Sequence, residues 1–488
     1  MSSDNESIAQ RLHGELDALI RRMSEVEGKQ PSIRDTEEQL WTGMLALGRG
    51  LMQLRFEACS AAEVRSDHIE VQGIRYDYQH QSSRGYVSLF GEVRLCRAYY
   101  WNIEAGGVCP LDGVLSMPGR RYSDSVQERL SEMNVWVPQD HSLALLARWL
   151  GLKIPKGSLQ NTVGEQALSV EDYYAQQVVP VAPAQDTILV VTADGKEIPM
   201  TRQDSPPPTA RRGKGQPKTA KKEAVVTALY SVAPYGRSCQ DILAGLLPDP
   251  ASQLMSPSAR PVLSHKQTFG TLEGKTAAMN QLAAQVARRD PDAFAYRVAL
   301  SDGSVALQQQ LLDHFPDFTL VLDIIHVTEY VWDAANARWG ETSSDRQPWV
   351  KQALTWLLTD HLDALLHDLE TPRPELPTSR QDVLTHVCAY FRRNRAFMDY
   401  QRYLALGWPI GTGVIEGACG HLVRDRFEQS GMQWSFAGAQ SLLDLRSVAF
   451  NDDWDDFQRF RRRLVHLERY HTPYPDGLPD MLALEAAA

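Results

Sequence analysis

The chain has 488 residues, 43% of them hydrophobic and 23% charged, with a formal net charge of −11. These values predict a soluble globular protein of several domains, and no apolar run approaches the ~20 residues that a membrane span needs. The acidic balance argues against a chain coated in nucleic acid, and the six cysteines (Cys59, Cys96, Cys109, Cys239, Cys388, Cys419) form no Cys-x-x-Cys pair, against a disulfide framework or zinc ribbon and in keeping with reduced cytoplasm.

The first stretch, "MSSDNESIAQRLHGELDALIRRM", lacks an apolar signal core and spaces Ile8, Leu12, Leu16, Leu19 and Met23 along a helix, so neither a secretion signal nor an anchor is expected. Helix is predicted to about residue 60. Between 66 and 104, "HIEVQGIRYDY" and "GYVSLFGEVRLCRAYYW" alternate apolar and polar residues around a Phe-Gly turn and predict short strands. Residues 1–121 are therefore read as a helical and small β region, and 122–177 as a helical, helix-turn-helix-like DNA-binding region. Within the latter, "DHSLALLARWLGLKIPKGSLQNTVGEQA" (140–167) has an apolar helix, a break at Gly151 and Pro155, and a second helix capped by Ser158. Such a pair can place its second helix in a major groove, although any helical hairpin shares the outline.

Past the Pro-containing "VVPVAPAQ" (178–185) the periodicity changes. "TILVVTADG" is a continuous β-branched run suited to a strand buried on both faces, and it ends at Asp194. "KEIPM" and "EAVVTALYSV" are expected as two more strands with "SPPPTARRGKGQPKTAKK" (205–222) between them. In that loop Arg211, Arg212, Lys214, Lys218, Lys221 and Lys222 stand with no acid among them, as a solvated basic loop or as one that contacts phosphates. A helix over about 271–289 precedes a fourth strand, "AFAYRVALSDG", which ends at Asp302; the helix "SVALQQQLLDHF" and a fifth strand, "FTLVLDIIH", follow. Three strands, helix, strand, helix, strand is the succession of the ribonuclease H-like fold, a mixed five-stranded α/β sheet with flanking helices whose first strand lies beside its fourth. On that expectation 186–326 form the first part of the core. Residues 327–408, helical, rich in Trp and Leu and broken near Pro372, Pro374 and Pro377, form an all-helical insertion domain. Residues 409–465 supply the closing helices and 466–488 a tail.

Glu416 sits among small and apolar residues in "PIGTGVIEGACGHLVRDRF" (409–427). Alone, it is a carboxylate in the first turn of a helix, where the dipole favours it. Asp194 and Asp302 give it another meaning. Neighbouring strands lie about 4.8 Å apart, so carboxylates ending the first and fourth strands can share a cation. Three acids meeting there can bind two divalent cations, Mg2+ or Mn2+, and support an in-line displacement at phosphorus. Gly195, Gly303, Gly417 and Gly420 are expected to leave room for a nucleic-acid backbone.

Residues from about 185 to 460 resemble the DDE transposases of bacterial insertion sequences, in the Kra-type branch related to the Mutator superfamily. The resemblance rests on "VVTADGKEIPM", "VALSDG", "LDIIHVTEYVW" and, above all, "GWPIGTGVIEGACGHLVRDRFEQSGMQWS". It implies Asp194, Asp302 and Glu416 as a metal-binding catalytic triad, with Asp323 and His326 of "DIIH" in support. Asp323 also ends a strand and is the alternative second aspartate; Asp302 is favoured because the fifth strand lies one place further from the first. His326 is a metal ligand, a phosphate contact, or a packed histidine bonded to Asp323 or Glu329. The resemblance further implies a cytoplasmic, nucleoid-associated protein that binds double-stranded DNA, both transposon ends and target, as a homodimer or larger assembly. Arg424 and Arg426, with Arg392, Arg393 and Arg395 of the insertion, are candidate phosphate contacts; surface ion pairs, with Asp425 and Glu428 as available partners, are the other reading. Relatives usually carry cysteine pairs around the segment matching "RAYYWNIEAGGVCPLD". Here Cys109 stands almost alone, with Asn102 and Ile103 where the first pair would begin, so no zinc is expected. Two rival readings keep the fold: a catalytically silent, transposase-derived DNA-binding repressor, and a structure-specific nuclease that cuts without joining.

Overall fold

The computed structural model describes residues 3–25, 31–179, 181–204, 221–248, 260–371, 374–429, 431–472 and 475. Two compact units emerge, one of Met1–Tyr173 with Asp453–Ala488, the other of Tyr174–Asp452. The first opens with α1 (Ser3–Ser24) and α2 (Ile33–Ala62), followed by a four-stranded antiparallel sheet in sequential order, β1 (His68–Val71), β2 (Ile74–Ser88), β3 (Gly91–Asn102) and β4 (Gly106–Val108). Leu89 and Phe90 make the turn between β2 and β3, with Gly91 at φ +120°. Phe56 of α2 packs with Val93 and Leu95 of β3, and Tyr76, Ala98 and Tyr100 form a second small cluster on the same sheet of local hairpins. After α3 (Pro110–Val114) come α4 (Asp124–Trp136), α5 (Gln139–Leu150) and α6 (Lys156–Ala167). The helix, break and helix expected over 140–167 are present, with Gly151 left-handed at φ +68°. The cap differs: α6 begins at Lys156 after Pro155, and Ser158 lies inside it. Pro155 is the extended residue just before the helix (φ −63°, ψ 145°), and α6 starts directly after it. The unit boundary falls within α7 (Val170–Gln176).

The second unit is a mixed α/β structure. Its sheet runs in the order β7-β6-β5-β8-β9, antiparallel across the first three strands and parallel across the last three. The central strand β5 (Ile188–Pro199) alternates its side chains between two cores, Ile188 and Val190 on one face, Leu189, Val191 and Ala193 on the other. It does not stop at Asp194. Pairing with β6 (Lys221–Val232) continues from Asp194↔Val226 to Pro199↔Lys221, so "KEIPM" extends the first strand and is not a second one. The third strand lies elsewhere: after α8 (Cys239–Leu246), β7 (Ser264–Thr271) pairs with β6 at the sheet edge, and α9 (Lys275–Ala287) follows. An edge strand needs no continuous apolar run, and "SHKQTFGT" has none. β8 (Tyr296–Ser301), α10 (Val305–His314) and β9 (Thr319–Leu322) complete the sheet as expected.

Helices α9 and α10 cover one sheet face, through Met279, Leu282, Leu307 and Leu311. The other is covered by the helical segment expected as a separate domain: α11 (Ile324–Trp339), α12 (Arg346–Leu358), α13 (Leu362–Glu370), α14 (Thr378–Asn394) and α15 (Tyr400–Ala405). Their apolar side chains join Val190, Leu300 and Val321 in one continuous core, so these helices complete the sheet rather than stand apart from it. The chain returns through α16 (Gly413–Ala418), a π-helical turn at Cys419–Arg424, α17 (Asp425–Phe427) and α18 (Phe436–Phe450). The last helix, α19 (Trp454–Tyr470), was expected among the closing helices but belongs to the first unit. There Phe457 packs edge-on against Tyr173, while Arg461 and Arg462 pair with Asp124 and Glu128 of α4. Among the described residues no helix is long and apolar enough to cross a membrane.

Candidate metal centre

Strand register places the carboxylates. The last β5–β8 pair is Thr192↔Leu300 and the last β8–β9 pair is Ser301↔Leu322; continued past the strand ends, these registers bring Asp194, Asp302 and Asp323 level across three adjacent strands. Side-chain alternation along β5 and β8 turns Asp194 and Asp302 to the face covered by the helical segment. Asp194 sits where pairing with β8 has ended while β6 still pairs.

The segment carrying Glu416 is stitched to the ends of β9 and β5. At one side the Ile324 amide donates to Ile410 O (2.9 Å), and the Thr412 amide and hydroxyl donate to Asp323 at 3.1 and 2.7 Å. At the other, Trp434 N–H reaches Pro199 O (3.0 Å) and Thr201 N–H reaches Trp434 O (2.8 Å). α16 starts directly after Thr412, whose hydroxyl also lies 3.2 Å from Glu416 Oε1. One turn further on, the buried Cys419 thiol hydrogen-bonds Asp194. Ligand atoms of Asp323, His326 and Glu416 lie within 4.8 Å of one another, close enough to hold a metal ion.

The aspartates are not equivalent. Asp323 is fully buried and both oxygens are occupied. Oδ1 accepts the Ile325 and Thr412 amides, and Oδ2 accepts the Thr412 hydroxyl, His326 Nδ1–H at 2.6 Å and, at 3.4 Å, the His326 amide. It is the N-cap of α11 and the anchor of the Gly-Thr-Gly turn in one. Burial alone would raise its carboxyl, but the hydrogen bonds from His326, Thr412 and Ile325 outweigh it and hold the group below its ordinary range. The same bond, opposed by burial and helped by the charges of Asp323, Glu329 and Asp302, raises His326 to about 9. At neutral pH the ring is therefore a cation with Nδ1–H committed to Asp323, and it must lose a proton before its other nitrogen can ligate a metal. Asp302 accepts the Ser304 amide at 2.8 Å on Oδ1, and Asp194 accepts the Gly195 amide at 2.6 Å on Oδ1. Burial raises Asp194, and so does the Asp302 charge; the Gly195 amide, the Cys419 thiol and His326 oppose them. A carboxylate penalised by burial and by a like charge gains most from a cation.

The basic residues divide. Arg211, Arg212, Lys214 and Lys218 lie outside the described residues. Lys221 pairs with Glu197 at 3.1 Å and Lys222 sits 4.4 Å over the Phe436 ring. Arg392 pairs with Glu370, and Arg395 grips Asp363 with two 2.7 Å bonds. Arg424 is exposed and 3.8 Å from Asp425. Arg426 is no surface contact: it is wholly buried, its guanidinium 5.1 Å over the Trp434 ring and 3.6 Å from the Met432 sulfur, and burial lowers it to about 10. Arg393 donates to Gly303 O at 3.1 Å and so braces the turn after Asp302. The glycines also correct expectation. Beside Gly417 the space is open, but a β-carbon on Gly195 would meet Glu223, and one on Gly303 would meet Tyr390. Sequence reasoning missed Thr412, Cys419 and Tyr390. The first two stand four residues before and three after Glu416, at helical spacing; nothing local marks Tyr390.

No protein-family model matches the chain, and no curated protein matches it.

Proposed function

We propose that this chain is a DDE transposase on a ribonuclease H-like core, in which Asp194, Asp302 and Glu416 hold Mg2+ or Mn2+. The observation that supports the reading best is the level placement of Asp194 and Asp302 on adjacent parallel strands, beside a segment that carries Glu416 and is tied to the ends of β9 and β5. The sheet order, three antiparallel strands and two added in parallel beside the first, is in keeping with that core. The donor set fits the cation: three carboxylates, each with fewer donors than Asp323, suit a hard ion that binds oxygen. Bound there, a cation pair supplies activation of an attacking oxygen and stabilisation of a leaving one.

The remaining roles fall to the chain. Asp323 and Thr412 fix the His326 ring and the start of α16, and His326 as imidazolium donates to a phosphate oxygen. The attacking oxygen is first water, which exposes a 3′ hydroxyl at the element's end, and then that hydroxyl, which joins target DNA. The N-terminal region recognises the terminal repeats, and two ends held together call for more than one protomer.

Glu416→Gln tests the reading. With DNA carrying the element's ends and Mg2+, the variant should bind as wild type and cleave at least about a hundred-fold more slowly, as loss of a ligand exceeds the effect of losing its outer partners. Unchanged cleavage returns Glu416 to a charge at a helix start.

A further inference from the structure

The Tyr390 hydroxyl is unexplained by the fold. Tyr390 is 3% exposed and its oxygen is buried without a hydrogen-bond partner among the described residues, which is unfavourable for a phenol held in the interior. The ring cannot easily turn away. It stacks on Tyr330 at 3.6 Å and 12°, with the Arg393 guanidinium 5.4 Å from its centre. Asn394, four residues on, donates to Tyr390 O at 3.0 Å and accepts from Gln308 of α10 at 2.9 Å, which fixes this end of α14.

The hydroxyl is aimed at the turn that follows Asp302. A β-carbon on Gly303 would lie 2.7 Å from it, and Gly303 adopts φ +93°, so only glycine admits the phenol there. Arg393 holds the same turn through Gly303 O. Two side chains of α14 thus grip the residue next to Asp302, one through a hydrogen bond and one with its donor unused. Asp302 meanwhile has Oδ1 bonded to the Ser304 amide. Its charge is among the influences that raise the Tyr390 phenol, after burial and Tyr330, which places the two groups within electrostatic reach.

We propose that Tyr390 is a positioning residue for Asp302, its hydroxyl donating to the Asp302 carboxylate when a divalent cation is bound there. The proposal rests on Asp302 being a cation ligand, but not on the DNA chemistry. On this account the helical segment between β9 and α16 completes the metal centre as well as covering the sheet. Partners of this kind orient a ligand and tune its affinity, and their removal costs about 10- to 100-fold.

Tyr390→Phe deletes the hydroxyl and keeps the stack. Melting of the full chain is followed with and without Mn2+ or Mg2+, the metal alone serving as probe. The Phe variant should melt no lower than wild type without metal, since an unpaired buried donor is removed. It should need about ten-fold more metal to reach the same upward shift, and about ten-fold more Mg2+ for half-maximal end cleavage, with end binding unchanged. An identical metal response in both proteins, no metal response in wild type, or a variant that melts lower without metal would each overturn the proposal. A wild type that responds to metal but never cleaves ends overturns the transposase reading instead and leaves this one standing.

Discussion

The ends of β8 and β9 lie side by side in the same sheet, and each ends in an aspartate followed by a helix. Their chemistry differs. At the end of β9, Asp323 is buried with both oxygens engaged by backbone amides, a hydroxyl and an imidazole. At the end of β8, Asp302 is half-buried and receives one amide, and its turn is held through the neighbouring glycine. A carboxylate whose lone pairs are filled organises the protein; one with an oxygen in reserve is available to a cation. Asp323 lies near enough to His326 and Glu416 to share a metal ion with them, and it also bonds His326 and, through Thr412, reaches the start of α16.

The sharpest way to break this contrast is to truncate both aspartates. Asp323→Ala leaves several donors, including a cationic ring, without an acceptor in the interior and should cost about 3–5 kcal/mol in urea denaturation. Asp302→Ala loses one amide contact and should cost about 1 kcal/mol. Equal losses would erase the distinction between a carboxylate engaged by the fold and one held by a single amide.

Next in size is the grip on the β8 turn. Gly303→Ala places a β-carbon at φ +93° and against the Tyr390 hydroxyl, and should cost about 2 kcal/mol. If the variant melts as wild type does, the turn is looser than the contact implies.

The smallest effect sharpens the β9 side. His326 is raised to about 9 from an ordinary 6.5, so the stability that its protonated form contributes is complete below pH 6.5 and fades as pH climbs through 9. In EDTA the loss between pH 6.5 and 9.5 should be on the order of 1–2 kcal/mol, and His326→Gln should flatten it. A wild-type curve flat over that window would mean that the Asp323–His326 bond does not hold a proton.

Legibility followed burial and chain locality. The run from Ile188 to Ala193 announced a strand covered on both faces because every side chain in it is apolar or β-branched. Asp302 was legible because Asp-Gly closes such a run. β7 was not, since an edge strand tolerates Ser, His, Lys and Gln; and the Gly after Asp194 suggested an end where pairing with β6 in fact carries the strand onward. Arg426 reads like Arg424 in sequence, but after the π-helical turn it is buried over the Trp434 ring while Arg424 stays exposed.

The sequence by itself determined which residues can be acids at strand ends, because hydrophobic runs and turn residues act over a few positions. It also separated an apolar helical stretch from the strands around it. Tertiary structure alone decided how many donors each acid receives, that Thr412 bonds Asp323 and Arg393 the turn after Asp302, and that the helical stretch shares the sheet's core. Those facts depend on contacts between segments 80 or more residues apart, such as Thr412 with Asp323 and Arg393 with Gly303, and no local pattern encodes a partner that distant.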